Sequence, residues 1–212
     1  MSSFDFQDFF ESTAGQITSA ALIIILFIAI LFSGKNKKPD TRALVLSAVF
    51  VALAVALNQV KLFHMPQGGS VTAFSMLPIV LCGYFLGVRR GLMAGMCMGI
   101  IDLIFGPYII HPVQLLLDYP LAFGALALGA VFREKKGGLY LSYVIGVLCR
   151  YVCCVISGII FFGEYAPEGF NAVTWSLWYN LTFLGAECII TLAVLFVPVV
   201  HKNIYMLKSE LL

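Results

Sequence analysis

The chain has 212 residues, of which 61% are hydrophobic and 11% charged, with a formal net charge of +2. Soluble domains carry about 25% charged residues, so these figures argue against a nucleic-acid binder, a disordered tail and an extracellular disulfide scaffold. At about 20 residues per membrane helix there is room for roughly six to eight helices and no separate catalytic domain.

Seven apolar segments follow one another at about 16–33, 42–60, 72–88, 91–106, 113–132, 139–162 and 173–200, separated by short turns rich in Gly, Pro, Lys or Arg. Hydrocarbon offers the backbone no hydrogen-bond partner, so the segments are predicted to be helices. The expected fold is an all-α integral membrane protein of seven transmembrane helices. No linker or low-complexity tract interrupts it. The six cysteines lie inside apolar runs without the paired spacing of a zinc site, and read as small packing residues.

The first segment follows MSSFDFQDFFES, an acidic leader, and precedes Lys35, Lys37 and Lys38. A signal peptide begins with positive charge, so this segment is predicted to be an anchor helix with its N-terminus outside. The basic residues then fall on alternate loops: Arg42 with those lysines, Arg89 and Arg90, then Arg133, Lys135 and Lys136, and finally Lys202 and Lys208. These loops are cytoplasmic by the positive-inside rule. The C-terminus is therefore expected in the cytoplasm, and Glu164, Glu168 and Lys61 outside.

In the second segment Ala48, Ala52 and Ala56 form AxxxAxxxA, a stripe of small residues that lets another helix approach closely. Packing within the bundle and docking of a partner both fit this pattern. The following loop, KLFHMPQGGSVT, carries Pro66, Gly68 and Gly69, which suit an ordered turn over the outer surface.

Four ionisable residues lie inside apolar segments: Asp102, Asp118, Arg150 and Glu187. Each costs about 2.5–3.5 kcal/mol at mid-helix on insertion scales, so each is a functional candidate. Asp118 stands in HPVQLLLDYPLAFG, about 7–8 Å below the outer end of its helix at 1.5 Å per residue. Tyr119 adjoins it and Pro120 loosens the backbone there. A carboxylate among aromatic rings near the outer face suits an organic cation. A structural ion pair with Arg150 is the competing reading. In the sixth segment Cys154, Gly158 and Phe162 share a helix face, and Gly158 would let a flat ligand approach the backbone. Trp175, Trp178, Tyr179 and Asn180 open the seventh segment, where interfacial aromatic belts are also common. His64 and His111 sit in outer loops as further contacts or solvated side chains. There is no GxxxxGK[ST] loop, no HExxH and no hydrolytic Ser, His and Asp set, so the chain is expected not to be an enzyme, nor to bind a metal or cofactor.

MPQGGSVTAFSMLPI, RRG at 89–91, YIIHPVQLLLDYPLAFG and SGIIFFGEYAPEGFNAVTWSLWYN together resemble the thiamine-specific substrate-binding component of energy-coupling factor (ECF) transporters, over residues 42–200. The resemblance implies a six-helix substrate-binding bundle at 42–200. Residues 1–41 would add an extracellular N-terminus, an extra transmembrane helix and a basic linker, and 201–212 a cytoplasmic tail. It also implies capture of thiamine from outside a bacterial cell membrane, followed by docking on a transmembrane coupling protein and two cytoplasmic ATPases.

By that resemblance the ligand contacts are Tyr108, Asp118, Tyr119, Cys154, Gly158, Phe162, Trp175, Ser176 and Asn180. Ala48, Ala52 and Ala56 become the docking stripe. Cys154 stands where the family has histidine, and Trp175 where tyrosine is usual. Residues 61–70 lack the tryptophan that some members carry. Two other functions compete: a self-sufficient ion-coupled carrier for thiamine or a related cationic vitamin, with Asp102, Asp118 or Glu187 as relay, and a membrane scaffold that binds no small molecule.

Overall fold

The computed structural model describes residues 40–211, so the first apolar segment and its expected orientation lie outside the described residues. The second segment becomes α1 (Thr41–Gln59), started by Asp40, whose Oδ1 accepts from the Ala43 amide at 3.2 Å. Only Ala43, Ala54 and Asn58 of α1 are buried. The helix therefore lies on the outside of the described bundle, with a broad apolar face that no other described helix covers.

A small sheet comes next, where the sequence predicted no strand. β1 (Lys61–His64) and β2 (Ser70–Thr72) pair antiparallel around a 3₁₀ turn at Pro66–Gly68. The register shifts between Lys61 and Phe63, and such a bulge re-aims side chains. Lys61 and His64 both reach the cavity described below, while Leu62 and Phe63 are exposed outside. The 72–88 segment is thus part strand, and its helix begins only at Met76.

α2 (Met76–Leu86) and α3 (Val88–Asp102) are joined at Gly87, whose φ of +94° suits glycine alone. Their 11 and 15 residues extend about 16 and 22 Å at 1.5 Å per residue, short of a hydrocarbon core of about 30 Å. Four other helical spans are long and apolar enough to cross: Thr41–Asn58, Pro112–Phe132, Gly138–Phe161 and Ala172–Leu195. The protein is mostly helical, and four of its described spans have membrane-crossing length.

α4 (Pro112–Phe132) changes pitch along its length. His111 Nδ1 caps it by accepting from the Val113 amide at 3.1 Å. Pro120 lacks an N–H, and the chain takes a wide π turn over Leu117–Leu121, then narrows to 3₁₀ over Leu126–Phe132. The wide turn is pressed against α3, where a Cβ on Gly99 would sit 2.5 Å from the Tyr119 carbonyl carbon. Any larger residue at 99 would push Asp118 and Tyr119 out of place.

α5 (Gly138–Phe161) and α6 (Ala172–Leu195) pack side by side. A reciprocal cap starts α6: Asn171 Oδ1 accepts from the Thr174 amide at 2.8 Å, and Thr174 Oγ1 accepts from the Asn171 amide at 3.0 Å. The last stretch, expected as a tail from 201, is a helix from further upstream, α7 (Pro198–Leu211). It buries Ile204 in the core and sets Lys208 Nζ 4.3 Å from the Tyr84 ring centroid.

Candidate functional site

A cavity of roughly 410 Å³ opens between the hairpin, the 103–111 loop and the ends of α1, α3, α4, α5 and α6. Ligand sites commonly fall in the range of about 300–1,000 Å³. All nine residues expected as ligand contacts, from Tyr108 to Asn180, line this one space. They come from one loop and three helices, brought together only by the packing of the bundle.

Asp118 stands on the π turn of α4, and its Oδ2 accepts from Gln114 Nε2 at 2.7 Å. The expected competitor, an ion pair with Arg150, does not form. Arg150 is in none of the ion pairs among the described residues. Its guanidinium lies 3.8 Å from the Phe123 ring centroid, and Nε and Nη1 are buried without hydrogen-bond partners among the described residues. Asp118 therefore keeps carboxylate capacity free for whatever enters the cavity.

Tyr119 turns its hydroxyl to the loop, accepting from the Tyr108 amide at 2.9 Å. Tyr108 lines the cavity while partly exposed, 5.9 Å from Phe162 between ring centroids, and Phe162 lies 6.0 Å from Tyr165. On α6, Trp175 is 5.7 Å from Tyr179, which is 5.7 Å from Phe183. Trp178, one position before Tyr179, is 56% exposed and outside the cavity lining. The two tryptophans are thus divided, one to the cavity and one to the bundle surface.

At the α5–α6 contact, the sequence leaves the space beside Gly158 for a ligand. Ser176 fills part of it instead. A Cβ at 158 would collide with Ser176 Oγ, which donates to the Val155 carbonyl at 2.9 Å. Gly158 thus permits helix contact as well as lining the cavity. Asn180 Nδ2 donates to the Ser176 carbonyl at 2.9 Å and to the Cys154 carbonyl at 3.4 Å, so it fastens the same seam. Cys154 is buried there with no disulfide.

Glu187, a candidate relay by sequence, is occupied structurally. Its Oε2 accepts from the Thr72 amide at 3.0 Å and Thr72 Oγ1 at 2.7 Å. Oε1 accepts from Ser75 Oγ at 3.4 Å and the Met76 amide at 3.3 Å. These bonds fix the end of β2 and the start of α2 around Phe74, whose φ is +66°. Two turns earlier on α6, the Tyr179 hydroxyl accepts from the Gly69 amide at 3.0 Å and donates to the Pro66 carbonyl. One helix face holds the hairpin at both its tip and its base.

Comparison with known proteins supplies the family. The family model described as "Thiamine transporter protein (Thia_YuaJ)" matches residues 44–207. The chain belongs to this thiamine transporter family. It is similar to "Thiamine transporter ThiT" of Bacillus subtilis, 38% identical over 180 residues that cover 76% of this chain and 93% of the relative. It is also similar to "Thiamine transporter ThiT" of Lacticaseibacillus paracasei, 31% identical over 159 residues, or 63% of this chain and 75% of that one. A solved structure of ThiT from Listeria monocytogenes shares the fold, with a TM-score of 0.61 at 23% identity, covering 81% of this chain and 95% of the other. Both relatives are named as transporters rather than enzymes, and membership with four membrane-capable spans makes this thiamine transporter family member a membrane protein.

Within this family member, Ala48, Ala52 and Ala56 are all exposed on α1, so the stripe does not serve packing among the described helices. His64 lines the cavity, whereas His111 stacks on Phe161 at 4.8 Å away from it. Gln114 and Asn58 are not among the site residues expected from the sequence, and Tyr179 is expected only as one of the ring residues opening α6. Gln114 could have been found as the residue four before Asp118 on the same helix face. Asn58 and the hairpin role of Tyr179 have no local signal, because their partners are distant in sequence.

Proposed function

We propose that this chain captures thiamine from outside the cell and delivers it as the substrate-binding subunit of an ATP-driven ECF importer. The observation that carries the reading is the convergence of Asp118, which has no ion-pair partner among the described residues, and a ring of aromatic side chains on one cavity near the loops assigned to the outer side. Thiamine is flat and permanently cationic. Three carboxylates, Asp102, Asp118 and Glu187, face two cations, Lys61 and Arg150, in the lining, leaving one net negative charge to match a monocation. Ring faces of Tyr108, Phe162 and Trp175 add cation–π attraction, about 0.5–2 kcal/mol each where water is excluded.

In this reading residues 42–200 are the six-helix binding unit, and residues 1–41 add a seventh transmembrane helix with its N-terminus outside. The tail from 201 is cytoplasmic, and the chain lies in a bacterial cell membrane. The exposed alanine stripe on α1 meets the transmembrane coupling protein, and two partner ATPases hydrolyse the nucleotide.

Titration of the purified protein with thiamine, followed by tryptophan fluorescence and calorimetry, tests the binding half. Saturable quenching that Asp118→Asn weakens by about tenfold to a hundredfold is expected, the scale of a lost charge-assisted contact. A flat titration favours a scaffold. Uptake into vesicles holding this chain alone, without ATPases, favours a self-sufficient carrier.

A further inference from the structure

The three acids of the cavity are unequally satisfied. Glu187 accepts four hydrogen bonds from the hairpin and α2, so the fold uses it up. Asp118 accepts one, from Gln114. Asp102, the last residue of α3, also accepts one: Asn58 Nδ2 donates to its Oδ1 at 2.5 Å. Lys61 and Arg150 line the same cavity, yet neither lies within ion-pair distance of Asp102, which is absent from the ion pairs among the described residues. Its Oδ2 accepts nothing from the described residues and is not sealed from the cavity. An ionised carboxylate offers about four acceptor sites on its two oxygens, so Asp102 has capacity for another donor.

Asn58 explains how the acid is aimed. It is buried, it is the residue α1 contributes to the described lining, and its amide fixes one carboxylate oxygen by a short charge-assisted bond. Tyr119 lines the cavity with both aspartates, but its hydroxyl turns to the loop, where it accepts from the Tyr108 amide, and it makes no hydrogen bond to Asp102. The cavity therefore presents two carboxylates with free acceptor capacity, on α3 and α4.

We propose that Asp102, positioned by Asn58, is a second recognition carboxylate, which accepts an N–H bond from an exocyclic amine of the ligand while Asp118 answers the ring cation. The inference rests on the thiamine reading above, since thiamine carries both a cationic ring and an aminopyrimidine. Its consequence is selectivity. A site built to accept from N–H rejects a carbonyl in the same place, because two acceptors then face each other without a proton.

The test is calorimetric titration of the full chain with thiamine and with the analogue in which a carbonyl oxygen replaces the pyrimidine amine. The unaltered protein is expected to prefer thiamine by about a hundredfold or more, as sites that read a hydrogen-bonding group do. Asp102→Asn, nearly equal in shape, should reduce that preference to about tenfold or less, and Asn58→Ala should reduce it partly. Asp118→Asn should weaken both ligands alike and leave the preference standing. An unchanged preference in Asp102→Asn, or no preference in the unaltered chain, overturns the role of Asp102 while the thiamine reading survives. Failure of the unaltered chain to bind thiamine at all overturns that reading, and this proposal with it.

Discussion

Gln114 and Asp118 stand one helical turn apart on α4, joined by a 2.7 Å bond from Nε2 to Oδ2. The same buried amide holds the 103–111 loop: Nε2 also donates to the Tyr108 carbonyl at 3.1 Å, and Oε1 accepts from the Ile110 amide at 3.2 Å. One side chain thus sets the carboxylate and the aromatic loop above it in register.

Gln114→Leu keeps the volume and removes all three bonds. A hydrogen bond to a charged group is worth about 1.5–3 kcal/mol, so thiamine affinity is expected to fall at least about tenfold. Calorimetry measures the loss. An affinity unchanged within error would show that the register of Asp118 and Tyr108 does not depend on this amide.

Gly158→Ala drives a Cβ into Ser176 Oγ at the α5–α6 seam. Overpacking of this kind costs about 1–3 kcal/mol, and the melting temperature in detergent should drop accordingly. Ser176→Ala placed in the same chain removes the clash with Oγ and leaves the Cβ of residue 176 at 3.0 Å, so the double variant should recover part of the loss. Equal melting of the single and double variants would mean that the seam yields elsewhere.

Tyr179→Phe keeps the ring beside Trp175 and Phe183 but removes the hydroxyl that holds Gly69 and Pro66. Each neutral bond contributes about 1 kcal/mol, roughly a factor of five. Stopped-flow fluorescence should record faster thiamine dissociation by about that factor or more. Amide exchange should rise at Gly69 and its neighbours, while association stays nearly constant. Dissociation at the unaltered rate would separate the hairpin tip from ligand retention.

Ala52→Leu adds bulk to the exposed stripe on α1, away from the cavity lining. Thiamine binding by the purified variant should match the unaltered chain, while ATP-driven uptake in the assembled importer is lost. Full uptake would reject the stripe as the docking surface.

The composition, the basic loops and the spacing of apolar runs were enough to read a helical membrane protein, because lipid permits few backbone solutions and each helix carries its own hydrogen bonds. Asp118 and its aromatic neighbours were also readable, since a charge in an apolar run is conspicuous. Other features depended on contacts between distant residues. The β1–β2 hairpin needs Tyr179 and Glu187, more than a hundred residues downstream, to fasten it. Whether Arg150 met Asp118 or Phe123 was set by helix rotation, and so was the division of Trp175 from Trp178. The Asn58–Asp102 pair bridges 44 positions, and nothing in either local sequence announces the other. Local hydropathy determines which segments leave water. Only the packed bundle decides which of their few polar groups meet each other and which are left for a ligand.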